Sequence, residues 1–110
     1  MSENLKVLTF EGILGIERAE EMKAQLLALL VPDNCLIINL SRVEWIDLSI
    51  LQLLISAKKT ALSKKISLQF SKQISEPVLA AFRSCGISRD VGPNNNNLDQ
   101  IIEDYLQGIW

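Results

Sequence analysis

Leu36-Ile-Ile-Asn-Leu-Ser-Arg-Val-Glu-Trp-Ile-Asp-Leu-Ser-Ile-Leu-Gln-Leu-Leu54 is the stretch that decides the fold. Its first part belongs to a continuous apolar run of strand length, Cys35 to Leu40, behind the turn residues Pro32, Asp33 and Asn34. Such a run reads as a central parallel strand covered on both faces. Val43, Trp45 and Ile46 carry the apolar content on through what reads as a connecting loop. Asp47 then opens a helix to about Ser63, because a carboxylate at the N-cap accepts from the free amides of the first turn. Leu51, Leu54, Ile55, Lys58, Ala61 and Leu62 form one helical stripe. Leu48, Ile50, Leu53 and Ala57 add a second apolar face, which an amphipathic surface helix does not need. That face has to be covered by another part of the chain or by a partner.

Working outward toward the N-terminus, Glu17 to Leu30 is helical, with Met22, Leu26, Leu29 and Leu30 at helical spacing and acidic residues in the first turns. Before it, Leu5 to Phe10 reads as a strand that Ile13-Leu14 extends past a bend or bulge near Gly12. Toward the C-terminus, Ile66 to Phe70 alternates as a strand. Ser75 caps a third helix with Pro77 in its first turn, and Val78, Leu79 and Phe82 face inward. Gly86 is placed as its left-handed stop, with Ile87 packing back. Gly92 to Asn97 reads as a polar loop. Asn97 and Gln100 have capping-box spacing before a last amphipathic helix of Leu98, Ile101, Ile102, Tyr105, Leu106 and Ile109. Strands alternating with helices predict right-handed crossovers and a mostly parallel sheet.

The chain has 110 residues, enough for one domain spanning 1–110 that buries a core without disulfide or metal. Hydrophobic residues make up 48% and charged residues 22%, which excludes disorder of the whole. The net charge of −2, with no cluster of basic and aromatic residues, argues against a nucleic-acid partner. Lys58, Lys59, Lys64 and Lys65 read as a solvated helix end that complements the helix dipole. Cys35 and Cys85 are isolated and read as small buried hydrophobes in a reducing compartment. No basic and apolar leader is visible, and apolar stretches such as Leu26 to Val31 are too short to span a bilayer, so a cytoplasmic location without membrane insertion is expected.

Histidine is absent. That removes Ser-His-Asp and Cys-His nucleophile systems, the HExxH zinc motif and a phosphohistidine relay. No GxxxxGK or GxGxxG loop and no acidic cluster of magnesium or calcium spacing is present. A nucleotide-binding or enzymatic protein on a flavodoxin-like sheet would need one of these. No catalytic residue, metal site or cofactor is therefore expected. Ser49, in the first turn of the Asp47 helix, is the hydroxyl best placed for phosphorylation, since a helix N-terminus favours phosphate.

The quoted stretch resembles the STAS family, which includes anti-sigma-factor antagonists and the cytoplasmic tails of sulfate transporters. Asn39-Leu40-Ser41 is similar to the family's strand end, and Asp47 to the Asp of its Asp-Ser-Ser-Gly or Asp-Thr-Ala-Gly motif. Gly12-Ile13-Leu14 looks like its Gly-Glu-Leu, and Gly86-Ile87 like its late Gly-Leu or Gly-Ile. The resemblance implies an α/β fold: a mostly parallel four- or five-stranded sheet with about four helices packed mainly on one face. It also implies a signalling or regulatory module that binds a protein partner at the start of the Asp47 helix. The first expectation for that partner is, as in the antagonists, a serine kinase that doubles as the anti-sigma factor. In relatives without a phosphorylation cycle it is a chemotaxis signalling system or the ATPase subunit of a lipid transporter.

Three positions depart from the family pattern. Leu48 stands where the family has its phosphoacceptor, and leucine cannot accept phosphate. Ser49 is one residue on, turned by about 100° around the helix. Ile50 stands where the family has Gly. The family's first strand is missing or very short, which leaves a sheet edge free for pairing with another chain, a homodimer included. The implied partner-binding residues are Asp47, Leu48, Ser49, Ile50, Gln52 and Leu53. Leu48 and Ile50 either form an apolar docking patch or tuck beneath the terminal helix.

Overall fold

The computed structural model describes residues 4–85 and 97–107. Its elements run β1 (Asn4–Leu14), a 3-10 turn (Ile16–Arg18), α1 (Ala19–Leu29), β2 (Asn34–Ile46), α2 (Leu48–Lys64), β3 (Ser67–Phe70), α3 (Glu76–Ser84) and α4 (Leu98–Gln107). The strands form one parallel sheet in the order β1-β2-β3. The Gly86 stop with Ile87, most of the polar loop and Ile109 lie outside the described residues.

The expected four or five strands are three among the described residues. β3 has only four residues. Beyond it the chain follows the side of β2, with Ser71 N–H donating to Ile38 O (2.9 Å) and Ser75 N–H to Leu40 O (3.4 Å), and turns directly into α3. β2 is longer than expected: Val43, Trp45 and Ile46 are strand rather than loop. Two register shifts against β1 allow this, each placing an extra residue on β2. β1 also reaches Leu14, bending at Gly12, whose φ of 78° is open to glycine and strained for other residues.

Strand periodicity sorts the sheet into two unlike faces. Phe10, Leu14, Leu36, Ile38, Leu40, Leu68 and Phe70 are buried on one side. They join Met22 and Leu26 of α1, Ile50, Leu51 and Leu54 of α2, Val78 and Phe82 of α3, and Leu98, Ile101 and Ile102 of α4 in one hydrophobic cluster. Each such side chain taken out of water contributes about 1.5–3 kcal/mol before entropy is counted. The opposite face carries Leu5, Val7 and Ile13 on β1 and Trp45 on β2, all exposed, with Cys35 and Ile37 half-buried. The reading of Cys35 to Leu40 as covered on both faces is therefore corrected, since among the described residues the helices lie on one face. Both cysteines are free; Cys35 is half-buried near the Ser67 hydroxyl (3.3 Å) and Cys85 is exposed, so neither is the buried hydrophobe expected.

α2 contacts α1, β3 and α4, which explains its two apolar faces: Ile50 and Ala57 are buried along with Leu51, Leu54 and Ala61. Lys58 is buried too and is no part of a solvated helix end. Its Nζ donates to Leu68 O (2.7 Å) and to Asp99 Oδ1 (3.0 Å), and lies 3.5 Å from Glu103 Oε2. The Asp99 carboxylate also accepts from Phe70 N–H at 3.1 Å and 3.2 Å. One carboxylate thus ties α4 to both α2 and β3. Asn97 caps α4 as its spacing implies, its Oδ1 accepting from Gln100 N–H (3.2 Å). Ser75 stands at the N-cap of α3 but makes no side-chain cap bond.

Lys65 closes α2 in the left-handed region at φ 58°, its N–H bonded to Ala61 O and Leu62 O. A side chain there costs roughly 1–2 kcal/mol, partly offset by the unfolded-state entropy a glycine would add. Lys65→Gly is expected to raise the urea midpoint, and an unchanged or lower midpoint would contradict the strain. No helix among the described residues is long and apolar enough to cross a membrane.

Candidate functional site

The site is built where the sheet's C-terminal end meets the start of α2. Asp47 N–H donates to Leu14 O (2.9 Å), so the helix start is held to the end of β1. Asp47 keeps an extended backbone (φ −82°, ψ 155°), as an N-cap requires, and its carbonyl accepts from Ile50 N–H and Leu51 N–H. Its Oδ2 accepts from Ser49 N–H (2.9 Å) and from the Ser49 hydroxyl (2.6 Å). Those two bonds, the hydroxyl's first, hold the Asp47 carboxyl below its ordinary pKa of 3.8 against a small opposing effect of burial.

A group whose pKa is depressed on folding adds stability above its unfolded pKa and loses it as pH falls through the folded value. Asp47→Ala is therefore expected to lower the urea midpoint at pH 7, with the gap to wild type narrowing as pH falls below 3.8. A gap independent of pH would contradict this role for the carboxylate.

The six expected contact residues divide. Leu48 and Gln52 are exposed; Asp47, Ser49 and Leu53 are half-buried, Leu53 packing against the core. Ile50 is fully buried and offers no contact surface, which corrects its place in the expected docking patch. Of the two fates open to Leu48 and Ile50, Leu48 faces solvent and Ile50 joins the core.

Three further exposed apolar residues at this end of the sheet are not evident from the sequence. Ile13 and Trp45 are register partners on the open face, one residue before Leu14 and Ile46, and Ile16 follows two residues after Leu14. Ile13, Ile16, Trp45 and Leu48 are each between 50% and 67% exposed, and all sit at this end of the sheet. The signal is Trp45, a large aromatic in a stretch whose sequence reads as a loop. Only the bulged register puts it beside Ile13. Apolar surface of this kind, rimmed by the polar Asp47, Ser49 and Gln52, is what protein contacts use.

Phosphorylation of Ser49 would break its hydroxyl bond and bring a phosphate against the Asp47 carboxylate. Among the described residues, no group of three or more His, Cys, Asp or Glu is placed to hold a metal ion. An open cleft of about 420 Å³ lies between the end of β3 and the start of α4, lined by Phe70, Ser71, Lys72, Asn97 and Asp99. It is separate from the α2 start.

Residues 1–93 match the family model described as "Mlab, STAS domain". Among solved structures, the chain is similar to the STAS domain of a SulP transporter from Vibrio cholerae, with a TM-score of 0.56 and 21% identity. The match covers 99% of this chain and 86% of that one. At that identity the likeness bears on the fold. No curated protein matches at a comparable level.

Proposed function

Because the chain belongs to the STAS domain family, a class of regulatory and interaction modules, we propose that it is a non-catalytic cytoplasmic subunit that binds a protein partner at the start of α2. The observation that carries this reading is the exposed apolar group Ile13, Ile16, Trp45 and Leu48 beside the capped helix start. Asp47 fixes the helix start; Leu48 and Trp45 supply the apolar contacts; Gln52 and the half-buried Leu53 complete the rim.

Binding of this kind runs without a phosphorylation cycle. Leucine occupies the acceptor position of the family motif, and the one nearby hydroxyl, on Ser49, is already donated to a carboxylate at 2.6 Å. These features favour an ATPase-subunit or chemotaxis-type partner over the serine-kinase anti-sigma factor of the phosphorylated antagonists. Phosphorylation of Ser49 belongs to the second reading, in which a kinase first draws Ser49 away from Asp47.

Affinity purification from the native cell separates the two. Recovery of an ATPase or chemotaxis partner equally by wild type and Ser49→Ala supports the first reading. A kinase that binds wild type and leaves phosphate on Ser49 supports the second. Saturable binding of ATP or GTP to the isolated chain in titration calorimetry would count against both and revive a nucleotide-binding role.

A further inference from the structure

We propose that a second copy of this chain pairs with β1 along its free edge, antiparallel and centred on Val7. β1 is the first strand in the order β1-β2-β3, and among the described residues no strand pairs with its outer side. Proteins usually blunt such an edge with charges, proline, bulges or a covering segment. From Asn4 to Phe10 the strand has no proline and one charge, Lys6, and its register against β2 is unshifted from Asn4 to Thr9. Leu5 and Val7 stand out of it at 63% and 59% exposure.

The usable edge has a definite end. The Arg18 guanidinium donates to Glu11 O (3.2 Å), and Gly12 bends the backbone just beyond. Among the described residues the free stretch is 4–10, and Val7 lies at its centre.

A strand pairs with its own copy antiparallel about a twofold axis, and opposite residues share a face of the sheet. Centring on Val7 pairs every residue from Asn4 to Phe10. It sets Val7 against Val7 and Leu5 against Thr9 on the open face, and Lys6 against Leu8 on the helix side. No like charges meet. Val7 meets its own copy at the centre and Lys6 meets no second charge, so the contact needs no second kind of protein. The result is a six-stranded sheet with all helices on one side. Val7 lies toward the opposite end of β1 from Leu14 and Asp47, so each copy keeps its α2 start free for a partner.

The test uses the full chain with Cys35 and Cys85 changed to serine. In this register two Val7→Cys residues face each other at about 4.5–5.5 Å between Cα atoms, within the reach of a disulfide. Two Thr9→Cys residues are offset by four positions, about 13 Å along the strand, and cannot be joined. Mild oxidation is expected to give at least ~10-fold more covalent dimer from Val7→Cys than from Thr9→Cys. Sedimentation of the wild type should move from the 12.3 kDa chain mass toward twice that value as concentration rises.

Equal or greater cross-linking of Thr9→Cys would overturn the register. A mass fixed at one chain at every concentration would overturn the second copy as the occupant. A dimer with Val7→Cys unlinked would place the interface elsewhere. None of these outcomes bears on partner binding at α2, which Val7 does not touch.

Discussion

Asp99→Ala is expected to cost about 2–4 kcal/mol of folding stability, with a fall in thermal midpoint of roughly 10–20 °C. The variant strips the buried Lys58 ammonium of its nearest counter-ion and leaves the Phe70 N–H without its acceptor. Glu103, at 3.5 Å, compensates only in part, and both carboxylates keep some contact with water, which holds the estimate below that of a fully buried pair. Lys58→Met should cost less, because it leaves an acidic residue that solvent still reaches. Combining Lys58→Met with Asp99→Leu should recover part of the Asp99→Ala loss, since apolar packing then replaces the pair. Urea unfolding of the three variants checks this. A loss below about 1 kcal/mol for Asp99→Ala would mean that α4 docks on Leu98, Ile101 and Ile102 alone.

The second large effect is on binding. Trp45→Ala is expected to weaken the partner complex by at least ~10-fold, as truncation of an aromatic anchor at an interface costs about 2 kcal/mol or more. Trp45 is half exposed and outside the core cluster, so the free protein should unfold at nearly the same urea concentration as the wild type. Ile13→Ala, on the register partner, should act in the same direction. If Trp45→Ala binds as tightly as wild type, the open face beside α2 is not part of the contact.

Local patterns in the sequence carried most of the fold. Asp47 as helix cap, the alternation of Leu68 and Phe70, and the bend near Gly12 each depend on a few adjacent residues, and each lies where its pattern implies. What could not be read was set by distant contacts. Lys58 sits on an apolar stripe, yet its charge reads as exposed; only Asp99, forty-one residues later, with Glu103 and the Leu68 carbonyl, makes its burial tolerable. Ile50 could be read either as a docking residue or as buried, because the second face of α2 is covered by elements remote in sequence. Trp45 reads as a loop residue because two extra residues in β2 hide the strand period. The strand count is three among the described residues, where no strand stands outside β1 and β3 passes into α3 after four residues.

The central claim, that a protein partner docks on apolar surface at the start of α2, is tested most directly by Leu48→Asp. An acidic residue in the first turn of a helix is favoured by the dipole, so folding should survive while an apolar contact should not. Affinity purification from the native cell, with circular dichroism to verify the fold, should recover a partner with the wild type and lose it with the folded variant. Recovery of the same partner in the same amount by both would contradict the claim and move the interface away from the α2 start.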